Sequence, residues 1–266
     1  MKRAIGLAAA LAVLVAPSPA PAAQPPPTIT MSGASPVQAL VSDLAFFYRR
    51  ETPRAPRFAI VGGGTGTGIA DAARGIVDAG MSGRALAADD PPGLVFTPLA
   101  LSAVCLVTNV ANPVASLSRA QIQDLVAGRL AAWPQVTGSR LPDPIVPVGF
   151  DLTSAARSVF LSAFVDFATP LAYTPTTFTA TAQVRAFVLV TPAAWGYLDL
   201  AFTPGLHTVA YEGVPCSAHK PYPARREIGL VTRGKPRGAV ARFLRWIAHD
   251  ATAKRVIRTR YVVAGQ

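Results

Sequence analysis

The sequence predicts an α/β protein with a ligand site along one edge of an open sheet. Strand-like runs alternate with segments of helical apolar spacing. Three of those runs end in small, hydroxyl-bearing turns around Ser35, Thr65/Thr67 and Ser82. The second turn, Val61–Ile69, packs five glycines into seven positions. Between a strand at Arg57–Val61 and a helix from Ile69, it reads as a loop that bares backbone N–H groups at a helix N-terminus, an anion or carboxylate cradle. It lacks the Gly-Lys-Ser/Thr ending of a nucleotide loop and the spacing of a dinucleotide fingerprint. Strand C-termini of open α/β sheets line up where ligands bind.

The 266 residues are 51% apolar and 15% charged, enough for a sizeable core and too apolar for disorder. Residues 1–22 read as a signal peptide: basic Met1-Lys2-Arg3, an apolar run Ala4–Ala16, and a cleavage motif at Ala20-Pro21-Ala22. A Pro-rich lead-in, 23–27, follows. No cysteine lies near the cleavage site, so no lipid anchor is expected, and the chain reads as periplasmic or secreted. Leu94–Val110 is apolar but interrupted by Thr97, Pro98 and Ser102, so it reads as two buried strands rather than a membrane span. The formal charge of +11 includes Lys2 and Arg3. It favours anionic partners, yet no aromatic-interleaved basic stripe points to nucleic acid. Cys105 and Cys216 are either bridged, as an exported chain permits, or two buried thiols.

In chain order, Thr28–Met31 reads as a strand and Ser32–Ser35 as a turn. Ser35 is an N-cap for a helix opened by Pro36, with Val37, Leu40, Val41, Leu44, Phe47 and Tyr48 on one face. Ile76–Met81 is a strand ending at Ser82-Gly83-Arg84. Ser118 with Gln121 forms a capping box for a short helix that Gly128 ends. Ile145–Val148 is a strand, and Ser154 caps a helix with Val159, Phe160, Ala163, Phe164 and Phe167 inward. Thr181–Val190 is a helix, Ala194–Leu198 and His207–Tyr211 are strands, and Pro236 opens the last long helix, followed by Ala251–Tyr261.

One stretch carries a specific resemblance. Asn112-Pro113, Leu117-Ser118, Ile122, Leu125, Gly128, Trp133 and Gly138 resemble the PstS-like, phosphate-binding branch of periplasmic solute-binding proteins. Ala194-Trp-Gly-Tyr197 and the segment from Tyr222-Pro223 through Ile228–Ile247 are similar to it too. The likeness spans nearly all of Thr28–Ala264. It implies a two-lobed α/β fold of the type II periplasmic binding protein kind, each lobe a mixed sheet flanked by helices, with the ligand cleft between lobes. The lobes implied are 28–103 with 212–266, and 104–211. Cys105 and Cys216 then fall near the strands joining the lobes, where a bridge would pin them.

The resemblance also implies a site. Ser35 matches the family's first hydroxyl and Thr65 the glycine-loop hydroxyl, with Gly66 between it and Thr67 one register on. Ser82 lies in the third turn, but Gly83 stands where the family has an aspartate. Thr153 and Ser154 precede the helix; Ser154 keeps a family hydroxyl, Phe150 replaces the family's arginine, and Arg157 matches another arginine just inside the helix. Losing the aspartate removes an acceptor for a phosphate proton, so sulfate would no longer be rejected. The expected function is capture of an anion, phosphate first, for the subunits of a membrane ABC transporter, by a monomer needing no cofactor or metal. The alternatives are a degenerate sensor or extracellular interaction protein, or a binder of another anion or a phosphorylated organic molecule. Nothing favours an enzyme: Ser217 and Lys220 have Ser-x-x-Lys spacing without companion motifs, and His207, His219 and His249 lack metal spacing.

Overall fold

The computed structural model describes residues 26–166 and 176–265. The leader, residues 1–22, and Phe167 lie outside them. The chain opens with β1 (Thr28–Ala34), α1 (Ser35–Glu51), β2 (Arg57–Gly63), α2 (Thr65–Arg74) and β3 (Ala79–Ser82). Strands β2 and β3 both pair parallel with β1, so the three strands end along one edge, where α1 and α2 begin. Here the elements differ from the sequence reading. β1 runs on through Ser32–Ala34, and β2 and α2 absorb almost the whole glycine stretch, leaving Gly64 as the single residue between them. Glycine disfavours a helix but does not forbid one, and parallel pairing with β1 carries β2 on to Gly63.

β4 (Leu94–Thr108) is one strand of 15 residues, not two. Pro98 does not break it, because the ladder with β10 (Arg225–Arg233) shifts register there, opposite Ile228 and Gly229. The first half of β4 pairs with β10 and with β11 (Val262–Val263). The second half pairs with β8 (Ala194–Asp199) on one side and β9 (His207–Tyr211) on the other. β4 therefore belongs to both lobes of a two-lobed α/β fold. The first lobe buries Ile29, Met31, Leu44, Phe243 and Ile257 under α1, α6 (Gly238–His249) and α7 (Ala251–Arg258). The second buries Val104, Trp133, Phe160, Trp195 and Tyr197. Its remaining elements are β5 (Ser116–Leu117), α3 (Arg119–Val126), β6 (Val146–Phe150), α4 (Ala155–Phe164), β7 (Thr176–Phe178) and α5 (Thr181–Val190). β6 lies parallel to both β7 and β8. In α3 both arms of the Ser118–Gln121 capping box are made, and Gly128 follows at φ +70°.

The chain's return from the second lobe is tied to β4 at two adjacent residues. Val104 donates its N–H to Ala224 O at 2.9 Å and accepts the Tyr222 hydroxyl at 3.0 Å. Cys105 is joined to Cys216 by a disulfide. Burial pushes the Tyr222 hydroxyl above the ordinary tyrosine range.

Two glycines let α2 lie directly on the sheet. A Cβ on Gly68 would come within 2.7 Å of Met81 O and 2.8 Å of Ser32 O, and one on Gly80 within 2.0 Å of Gly68 O. Gly68 thus serves close helix-to-strand packing rather than a loop. Gly68→Ala is expected to lower the stability by about 1–3 kcal/mol through overpacking, read from urea unfolding; a wild-type midpoint would show that α2 does not need this approach. Removing the Cys105–Cys216 bridge, which closes a separation of 111 residues, should cost about 2–4 kcal/mol in the same assay.

Candidate anion-binding site

Four helices begin at one small cavity of about 20 Å³ between the lobes. α1 and α2 come from the first lobe and bring Ser35 and Thr65; α4 and α5 come from the second and bring Ser154 and Thr181. None of the four carries an acidic residue in its first turn. Their positive ends therefore meet no carboxylate from their own first turns. Gly63, Gly64, Gly83, Phe150, Ala155, Thr179 and Arg226 complete the lining.

The hydroxyls are oriented. Thr65 is 3% exposed, and its Oγ1 accepts the Gly83 N–H at 3.0 Å. Ser154 is the N-cap of α4, its Oγ accepting the Ala156 N–H at 3.2 Å. In both, the hydroxyl proton is left for another acceptor. Ser35 is not the N-cap of α1: Ala34 holds that position without a side-chain cap, and Ser35 sits in the first turn beside Pro36. Its hydroxyl makes no cap and lines the cavity.

The lobes touch across the cleft. Gly66 N–H donates to Thr153 O at 3.1 Å, and a Cβ on Gly64 would fall 2.2 Å from Thr153 Oγ1. Only glycine at position 64 allows that approach. Thr153 is itself fixed by Asp151, whose Oδ1 accepts its N–H at 2.9 Å and its hydroxyl at 2.7 Å.

Arg226, on β10, is the cation of the site. Its side chain is 4% exposed and Nη2 donates to Asp199 Oδ2 at 2.7 Å. Asp199 Oδ2 also accepts the Ser102 hydroxyl at 2.8 Å, and Oδ1 accepts the Ala201 N–H at 3.1 Å. The buried Nε of Arg226 has no hydrogen-bond partner among the described residues. Gly83 makes room for this guanidinium: a Cβ there would lie 3.2 Å from both Arg226 Nη1 and Thr65 Oγ1.

Of the residues singled out in the sequence, Ser35, Thr65 and Ser154 come together at the cavity. Gly66 and Thr153 meet each other instead and hold the lobes together. Thr67 is exposed, two residues further along α2 than Thr65, the α2 residue that lines the cavity. The Ser82 hydroxyl turns away to donate to Arg84 O at 2.6 Å. Arg157 is half-buried on α4 and lies outside the lining. Arg226 and Thr181 were missed. Arg226 appears in sequence only as half of an Arg-Arg pair, and its carboxylate partner is 27 residues away. The Ser217 hydroxyl, from the Ser-x-x-Lys spacing, accepts the His219 N–H at 3.0 Å in a local turn.

The family model for a PBP superfamily domain matches residues 18–251. The phosphate-binding protein PstS of Bacillus subtilis (strain 168) is 24% identical over 239 residues, covering 86% of this chain and 78% of that protein. A putative phosphate ABC transporter substrate-binding protein from Clostridium perfringens, solved with bound phosphate, has a similar fold. Its TM-score is 0.83 at 21% identity, over 90% of this chain and all of that one. An ABC-type phosphate transport receptor from Vibrio cholerae gives a TM-score of 0.68 at 23% identity, over 88% of this chain and 99% of that one. With a family model matched along most of its length and a fold shared with these binding proteins, the chain belongs to the PBP superfamily.

Proposed function

We propose that this chain is an exported, monomeric solute-binding protein that closes two lobes over a small oxyanion, phosphate foremost, and hands it to a membrane ABC transporter. The observation that carries this is the convergence of four helix N-termini, with a buried arginine, on a cavity of about 20 Å³. The lobes run from 28 to about 103 with the segment after 212, and from about 104 to 211. PstS proteins and phosphate-transport receptors among the relatives support the ligand and the transporter. No described helix is long and apolar enough to cross a membrane, which fits a chain released from its leader. The size of the cavity favours a compact ion over a phosphorylated organic molecule; by the same measure a single water takes about 10–15 Å³. The site is built to hold and release, with the four helix ends and hydroxyls acting as fixed hydrogen-bond donors, so no bond is made or broken.

Calorimetry on the chain stripped of bound ligand tests the reading. Phosphate binding at about micromolar Kd or tighter is expected; absence of heat with phosphate and with other small anions would overturn it. Thr65→Ala and Ser154→Ala should each weaken phosphate binding by about 1–3 kcal/mol while thermal melting shows a folded chain. Unchanged affinity in both variants would remove these hydroxyls from the site.

A further inference from the structure

We infer that the cavity is a site for tetrahedral dianions as a class, taking sulfate as well as hydrogen phosphate, and that Arg226 is its principal side-chain contact. The inference rests on the anion-binding reading above and names the chemistry that the site selects.

Charge comes first. The Arg226–Asp199 pair is neutral as a unit, and among the described residues no other charged side chain lines the cavity. The attraction for an anion is therefore supplied by the helix ends. Each is equivalent to roughly half a positive charge, so four of them amount to about two units. A dianion matches that; a monoanion leaves part of it uncompensated.

The second argument concerns protons. Asp199 is the carboxylate nearest the cation, and both its oxygens already accept hydrogen bonds, from Arg226, Ser102 and the Ala201 N–H. It lies outside the lining and offers nothing to a ligand. The lining itself contains hydroxyls at Ser35, Thr65, Ser154, Thr179 and Thr181 and no carboxylate. A carboxylate facing the ligand would reward a ligand proton and repel a ligand that has none. A hydroxyl does neither, since it donates to a bare oxygen or accepts from a protonated one. Sulfate then loses nothing relative to hydrogen phosphate. Arg226 supplies the directional contact: its side chain is 4% exposed, and its buried Nε has no partner among the described residues.

The test is calorimetry on the wild-type chain with sulfate and with phosphate, at about pH 6 and about pH 8.5. Sulfate is expected to bind within roughly tenfold of phosphate at the higher pH and to displace it. Phosphate affinity should fall several-fold at the lower pH, where the monoanion dominates, while sulfate affinity holds. Sulfate weaker than phosphate by more than about a thousandfold, or phosphate affinity flat with pH, would overturn the inference while leaving the proposed function in place. Heat with neither anion would sink the proposed function itself. For Arg226, the double variant Arg226→Gln with Asp199→Asn leaves no buried charge unpaired and keeps the variant foldable, as thermal melting would verify. It should lose at least about thirtyfold in affinity for both anions, with Arg226→Lys intermediate. Wild-type affinity in the double variant would remove Arg226 from the site.

Discussion

Burying a guanidinium costs several kcal/mol unless a partner and further hydrogen bonds offset it. This protein buries one where its two lobes meet. Arg226 comes from β10, its partner Asp199 from the end of β8, and the hydroxyl that braces Asp199 from Ser102 on β4. In the ladder, Arg226 lies opposite Ser102, and Asp199 opposite Val104. The ion pair thus fixes the mutual register of three strands within a few residues of the point where β4 passes from one apolar cluster to the other. The same stretch of β4 is pinned to the returning chain through Val104 and Cys105.

The helix ends distribute the rest of the work differently. Each lobe contributes two N-termini, and the four meet at the cavity between them. The lobes meet through the Gly66 N–H on Thr153 O and through the near contact of Gly64 with the Thr153 hydroxyl. Glycine therefore does two jobs in one short stretch. At Gly64 it lets the lobes meet, and at Gly68 it lets α2 sink onto β1 and β3, with the helix start at the cavity.

Much of this was legible in the sequence, for local reasons. The capping box at Ser118–Gln121 and the N-cap at Ser154 are short-range signals and the structure makes both, whereas Ser35 sits inside the first turn of α1 with Ala34 at the N-cap. The misreadings have physical causes too. Leu94–Thr108 looked like two strands because Pro98 breaks a regular ladder, but a local shift of register absorbs it. The glycine stretch looked like a loop because helix propensity was weighed without the sheet against which α2 packs. Ser82 carries the right side chain at the right strand end, yet its hydroxyl closes a turn with Arg84. Arg226 was hidden because its role depends on contacts that no spacing encodes: strand pairing with β4 and a carboxylate from β8.

Phe150 and Gly83 make sense together with Arg226. Each stands where the resemblance implies a charged residue, of opposite sign, so both changes together leave the side-chain charge of the cavity unaltered. Gly83 vacates the volume beside Thr65 Oγ1 that the Arg226 guanidinium approaches, and a carboxylate at position 83 would compete with Asp199 for it. Phe150, 2% exposed and tilted against Tyr197 at 5.8 Å between centroids, closes the opposite wall with apolar surface. Where the resemblance implies an arginine on the strand before α4, the charged side chain that lines the cavity among the described residues comes instead from β10, as Arg226.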